Sequence, residues 1–175
     1  LYDSYIKLKD GESISSKGHT ASFKPTPFET VRKFLEASKN YFPSLEQASL
    51  LIRTEAKIED HSSGYYNLCD YLEKKLSIKV KVLPKSSMEE LFSRNDQHRS
   101  RILISEALDL PEKTFQISSQ IALIKFEDKI DQIISKSNFT DKEEKYLLKI
   151  TLANYFGMSL IMPYDNFKES ANELR

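Results

Sequence analysis

Residues 77–84, SIKVKVLP, alternate apolar and polar side chains with a period of two, while on either side the apolar residues recur at spacings of three and four. That change of period constrains the fold more than any other feature. Period two describes a half-buried strand and period 3.6 an amphipathic helix. Ile78, Val80 and Val82 are therefore expected to face inward. Three helices are predicted before this strand. Thr26-Pro27 opens the first, with threonine as cap, proline at the first helical position and Glu29 near the positive end. Phe28, Val31, Phe34 and Leu35 form its stripe, and it is expected to end near Tyr41, before Pro43. Ser44 is expected to cap the second, followed by Glu46 and Gln47 as in a capping box, with Leu45, Ala48, Leu51 and Ile52 as the apolar face. IEDHSSGYYN interrupts the pattern, and Tyr65, Leu68, Cys69, Leu72 and Leu76 mark a third helix.

After the strand, MEELFSRNDQHRSRILISEAL reads as a second strand, a turn at Asn95-Asp96 and a third strand over 100–105. LPEKTFQISSQIALIKFEDKIDQIIS reads as one long helix. TDKEEKYLLKITLANYFGMSLIMP reads as another, capped at Thr140 with Glu143 three residues on and stopped by Pro163. A last helix begins in YDNFKESANELR, with Asp165 as cap. Helices segregated around a small antiparallel sheet define an α+β domain. Residues 1–26 read as a short strand or arm at Tyr5, Ile6 and Leu8, then a linker closed by Pro25 and Pro27. The domain proper spans 27–175, with a helical segment over 27–76.

Lys+Arg and Asp+Glu number 26 each, so the chain is formally neutral and carries no electrostatic footprint for nucleic acid. The single cysteine, Cys69, makes an intrachain disulfide impossible and a cysteine-based metal site nearly so. His19, His61 and His98 sit in different segments without ligand spacing. The first residues lack the apolar core of a signal peptide, and no run of about 18 apolar residues exists to span a membrane. The cytoplasm is the expected location. A chain that starts at Leu1 is expected to be a fragment or a processed product.

KTFQISSQIALIKF, residues 113–126, has the spacing of the zinc-peptidase helix FTLAHELGHL. Such an enzyme needs two histidines one turn apart to grip zinc, a glutamate between them to activate water, and a third ligand from a later helix. The corresponding positions hold Ser119, Gln120 and Leu123. Serine is a poor ligand, leucine is none, and glutamine cannot accept the proton. Downstream, LANYFGMSLIMP, residues 152–163, is similar to the E-x-x-A-N-x-F-A-x-x-L-L-M-P stretch of the ImmA/IrrE metallopeptidase family: Ala153, Asn154, Phe156, Leu160, Met162 and Pro163 match. The family's third zinc ligand falls at Ile150. The chain thus resembles a zincin-like, ImmA/IrrE-like domain whose metal site is lost. HRSRILISEALDLPEKTFQISSQIALIKFED and ITLANYFGMSLIMPYDNF further resemble the degenerate domain of XRE-type short-chain fatty acyl regulators. That match is good over 98–167 and looser over ETVRKFLEASKNYFPSLEQA.

The resemblance implies a catalytically dead sensing domain of a transcriptional regulator, with no cofactor and a short-chain acyl-coenzyme A or similar metabolite as effector in the old cleft. It implies DNA contacts through a helix-turn-helix upstream of Leu1, a further domain beyond Arg175, a homodimer, and no membrane. Under it, Tyr155 and Tyr164 are candidates to stack on adenine. Arg99, Arg101 and Lys113 are candidates for phosphates, arginine offering a forked grip. Ser119 and Gln120 would line the former metal pocket opposite Asn154, bonding a thioester carbonyl or each other. His61, Tyr65 and Tyr66 form a polar aromatic cluster at a helix start. Two alternatives stay open: an active zinc peptidase with unusual ligands, and a protein-interaction module without a small ligand.

Overall fold

The computed structural model describes residues 25–58, 64–88 and 91–162. The expectations for the N-terminal arm, for His19 and His61, and for the C-terminal helix with Asp165 and Tyr164 concern residues outside those described, as does that for Pro163.

Helix α1 spans Pro27–Ala37 and starts as its sequence dictates. The Thr26 hydroxyl accepts from the Glu29 amide at 3.3 Å, and the Glu29 carboxylate accepts from the Thr26 amide at 2.8 Å, a reciprocal capping box. The helix closes at Ala37, earlier than expected, because Lys39 and Asn40 turn the chain with positive φ. Helix α2 spans Pro43–Glu55. Ser44 is not its cap: Pro43 already occupies the first turn, and the capping position falls to Phe42, whose side chain makes no capping bond. Helix α3 runs Gly64–Leu76 with Leu68 and Leu72 fully buried, as the spacing predicts.

Strands β1 (Lys79–Leu83), β2 (Ser93–Asp96) and β3 (Arg101–Ser105) form one sheet in the order β1-β3-β2. The expectation of an antiparallel sheet is corrected here. β2 pairs antiparallel with β3, but β1 pairs parallel with it, Val80 opposite Ile102 and Val82 opposite Ile104. Only the central strand is covered well: Ile102, Leu103, Ile104 and Ser105 are buried. β1 is an edge, so Ile78 and Val80 are half-buried, and Val82, expected inward, is 45% exposed. The β2–β3 turn is a 3-10 turn over Gln97–Arg99 closed by Ser100 at φ 46°. It does not fall at Asn95-Asp96, which belong to β2 and pair across the hairpin with Ile102 and Arg101.

Helix α4, Leu110–Lys125, begins with a second capping box between Asp109 and Glu112. The predicted single long helix breaks at Phe126, whose φ of −123° and ψ of 23° leave the helical region. Phe126 is buried, its ring 5.3 Å from Phe156, and the break lets α5 (Glu127–Ser135) set Ile130 and Ile133 into the core. Helix α6, Lys142–Ile161, is capped by Asp141, one residue later than Thr140, with the Asp141 carboxylate accepting from the Glu143 amide at 2.6 Å. α6 is the hub. It packs on α1, α2, α4 and α5, and its largest interface is with α4. Ile117 and Ile121 of α4, Leu148, Leu152 and Phe156 of α6, and Ile102 and Ile104 of β3 meet in one core.

Candidate functional site

The seam between α4 and α6 is unusually close at one point. Gly157 faces Ser119 and the ring of Phe115, and a Cβ added there would lie 2.7 Å from Ser119 Oγ and 3.2 Å from the ring. A glycine lets the two helices approach, as it commonly does where backbone meets a neighbour. Ser119 is 5% exposed, and its Oγ is the one buried side-chain polar atom without a hydrogen-bond partner among the described residues. A buried hydroxyl without a partner forfeits about 1–3 kcal/mol of desolvation.

One residue on, Gln120 turns toward the sheet. Its Nε2 donates to Ser93 Oγ at 3.1 Å, and Ser93 Oγ donates to Gln116 Oε1 at 2.7 Å. This chain of polar groups pins α4 to β2. Leu123 and Ile150 are half-buried apolar residues on α4 and α6. Among the described residues no three His, Cys, Asp or Glu side chains cluster in a way that could hold a metal. Serine, glutamine, leucine and isoleucine do not supply a zinc donor set.

The other candidates separate into two groups. Asn154 lies exposed on α6, one turn before Gly157. Tyr155 points the other way, toward α2: its hydroxyl donates to Glu46 Oε1 at 2.5 Å and accepts from the Phe42 amide at 3.3 Å, with its ring edge-on to Phe42 at 5.1 Å. Burial, and then the bond to Glu46, push the Tyr155 phenol well above its usual pKa. Ser159 completes this knot by bonding Glu46 Oε2 at 2.7 Å and Ser49 Oγ at 2.6 Å. Arg99 and Arg101 lie at the hairpin turn. Arg101 Nε is 2.8 Å from Asp96 Oδ2, and that bond holds the Asp96 carboxyl below its usual range. Lys113 sits half-buried in the first turn of α4. Tyr65 and Tyr66 meet edge to face at 5.2 Å, and burial pushes the Tyr65 phenol up to about 12. Sequence reasoning missed Ser93, Gln116 and Gly157. Gly157 had a signal, since it stands where the quoted family stretch has alanine. The two polar residues had none.

These features describe a close seam of two helices against a small mixed sheet, without a metal-holding cluster among the described residues. The profile of the IrrE N-terminal-like domain matches residues 73–175, and the chain belongs to that family. The ImmA/IrrE resemblance is thereby borne out. A solved Mycobacterium tuberculosis transcriptional regulator superposes with a TM-score of 0.77 at 27% identity, over 86% of this chain and 45% of that one. The HTH-type transcriptional regulator PrpR of M. tuberculosis is 27% identical over 87% of this chain and 31% of its own length. RamB of the same species is 24% identical over 85% of this chain. A propionyl-CoA carboxylase regulator of Cereibacter sphaeroides is 26% identical over 89% of this chain and 32% of its own. The chain thus spans about a third of the length of these curated relatives. The described helices include none long and apolar enough to cross a membrane.

Proposed function

We propose that this domain senses a short-chain acyl-coenzyme A, or a related metabolite, at the α4–α6 seam and thereby sets DNA binding by an attached helix-turn-helix in a cytoplasmic homodimer. The observation that carries the reading is a pairing. Over most of its length the chain aligns with transcriptional regulators, one of them named for propionyl-CoA carboxylase, while in the family resemblance Ser119, Leu123 and Ile150 fall at the zinc-ligand positions and Gln120 at that of the water-activating glutamate. A hydroxyl left without a partner beside the Gln120–Ser93–Gln116 chain supports a role in recognition, because a carbonyl oxygen of the ligand would satisfy it. Asn154 on the exposed side of α6, with Tyr164 near it in sequence, is assigned to the acyl or adenine end, whereas Tyr155 is committed to α2. Arg99, Arg101 and Lys113 are assigned to the phosphates. Helix-turn-helix readers take palindromic sites as dimers, which supports the homodimer.

A ligand moves such a switch only by binding one arrangement more tightly than the other. Titration of the pure protein with a panel of acyl-coenzyme A thioesters, followed by thermal unfolding, tests the reading. An effector at ~100 times its Kd stabilises by about 2.7 kcal/mol. No stabilisation by any thioester would return the domain to a protein-interaction module, and stoichiometric, tightly held zinc would return it to a peptidase.

A further inference from the structure

The tip of the β2–β3 hairpin carries an open recess of about 310 Å³, lined by Arg94, Asn95, Asp96, Gln97 and His98. We propose that this recess is an anion site that takes a phosphate group between Arg94 and His98. Its two contacts, Arg94 and His98, are residues to which the effector reading gives no part.

Three observations converge on it. The lining residues are all polar or charged, which favours a polar occupant over an acyl chain or a hydrophobic peptide residue. The charge is local: the chain as a whole is neutral, yet residues 94–101, RNDQHRSR, hold three arginines and a histidine against one aspartate. That aspartate is already committed. Asp96 is bonded by Arg101 Nε at 2.8 Å and by the backbone of Arg99, so its charge is neutralised from the turn side. Arg94 and His98, both exposed, form no salt bridge among the described residues. A guanidinium offers two parallel N–H donors to a phosphate, and an imidazole offers a third. The side-chain amides of Asn95 and Gln97 can each add a donor beside them. The Asp96–Arg101 pair and the left-handed Ser100 hold the turn in shape, so little ordering is required on binding. Arg94 and its neighbour Ser93 project to opposite faces of β2, and Ser93 bonds α4. None of the residues that line the recess belongs to α4 or α6, so it is distinct from the seam.

The phosphate has two sources, a free inorganic anion or the phosphate end of a nucleotide. Calorimetric titration of the intact domain with inorganic pyrophosphate, and separately with adenosine 3′,5′-bisphosphate, at fixed ionic strength distinguishes them. Saturable one-site binding is expected. R94A and H98A should each weaken it roughly tenfold, as loss of a charge-assisted bond does, with unchanged melting temperature. K145A, which removes one exposed charge from α6, should leave it unchanged. Tighter binding of the nucleotide assigns the site to nucleotides, and equal or tighter binding of pyrophosphate assigns it to free phosphate. Absence of saturable binding of both probes, wild-type affinity in R94A and H98A, or an equal loss in K145A overturns the proposal.

Discussion

Ser119 holds a buried hydroxyl against the backbone of Gly157 without a bond to show for it. The energetic consequences can be separated by substitution. Ser119→Ala removes an unsatisfied group and should leave stability unchanged or raise it by about 1–2 kcal/mol in urea unfolding. Gly157→Ala brings a methyl within 2.7 Å of that hydroxyl and 3.2 Å of the Phe115 ring, and should cost about 1–3 kcal/mol. The double variant should recover most of the loss, since the nearer contact disappears and alanine is the better helix former by about 1 kcal/mol. If Ser119 meets a ligand, the same Ser119→Ala protein will bind acyl-coenzyme A more weakly while melting no lower. A packing residue would not split the two readouts in opposite directions. The sequence placed Ser119 at this spot through its spacing from Gln120 and Leu123. It could not place Gly157 opposite, because the contact lies between helices that periodicity treats one at a time.

At the scale of elements, α6 is fastened to α2 through Tyr155, Glu46, Ser159 and Ser49. Tyr155→Phe removes a hydrogen bond to a charged group and leaves the Phe42 amide unpaired, for an expected loss of about 1.5–3 kcal/mol. The bond also has a pH signature. The folded pKa of this phenol is raised above the unfolded value of about 10, so its contribution is complete below about pH 10. As pH climbs beyond that, the unfolded chain releases the proton and the folded chain keeps it, so stability falls. Wild type should therefore lose stability between about pH 10 and 11 more steeply than Tyr155→Phe, measured by denaturant midpoint. Across the molecule, Lys125 joins α4 to α2 and α3 by meeting Glu55 at 3.0 Å, the Tyr71 hydroxyl and the Tyr71 ring. Lys125→Met keeps much of the aliphatic packing and should cost about 1 kcal/mol, the order expected of a partly exposed ion pair with a cation–π contact. Element existence was legible because each helix carries its own apolar stripe. Caps were less so. Thr26 was unambiguous, whereas Thr140 and Asp141 are both competent and only the tertiary position of the turn chooses Asp141. The direction of β1 was not legible at all, since KVKVL alternates identically whether its neighbour runs with it or against it.

For the whole molecule, the decisive fact is that α6 touches four other helices while presenting Gly157 to α4. A ligand wedged at that seam would act on the element through which the rest of the fold is held. That makes a spatial prediction about hydrogen exchange. Acyl-coenzyme A at saturation should slow exchange not only in α4 and α6 but also in α1, which packs on α6, and in α2, which meets α6 and, through the Glu55–Lys125 pair, α4. β1, an edge strand whose contacts run to α3 and β3, should change little. A ligand held at the hairpin recess alone gives the inverse pattern, with protection confined to β2, the turn and β3. The energy scale is sufficient. A preference of about 2.7 kcal/mol for one folded arrangement over the other would shift a two-state equilibrium roughly a hundredfold, enough to carry a domain from mostly one arrangement to mostly the other. Protection spread through α6 in wild type, and reduced in Ser119→Ala at equal ligand concentration, is the result expected of a sensing seam. Uniform protection, or none, would mean that the helix pair is scaffold only.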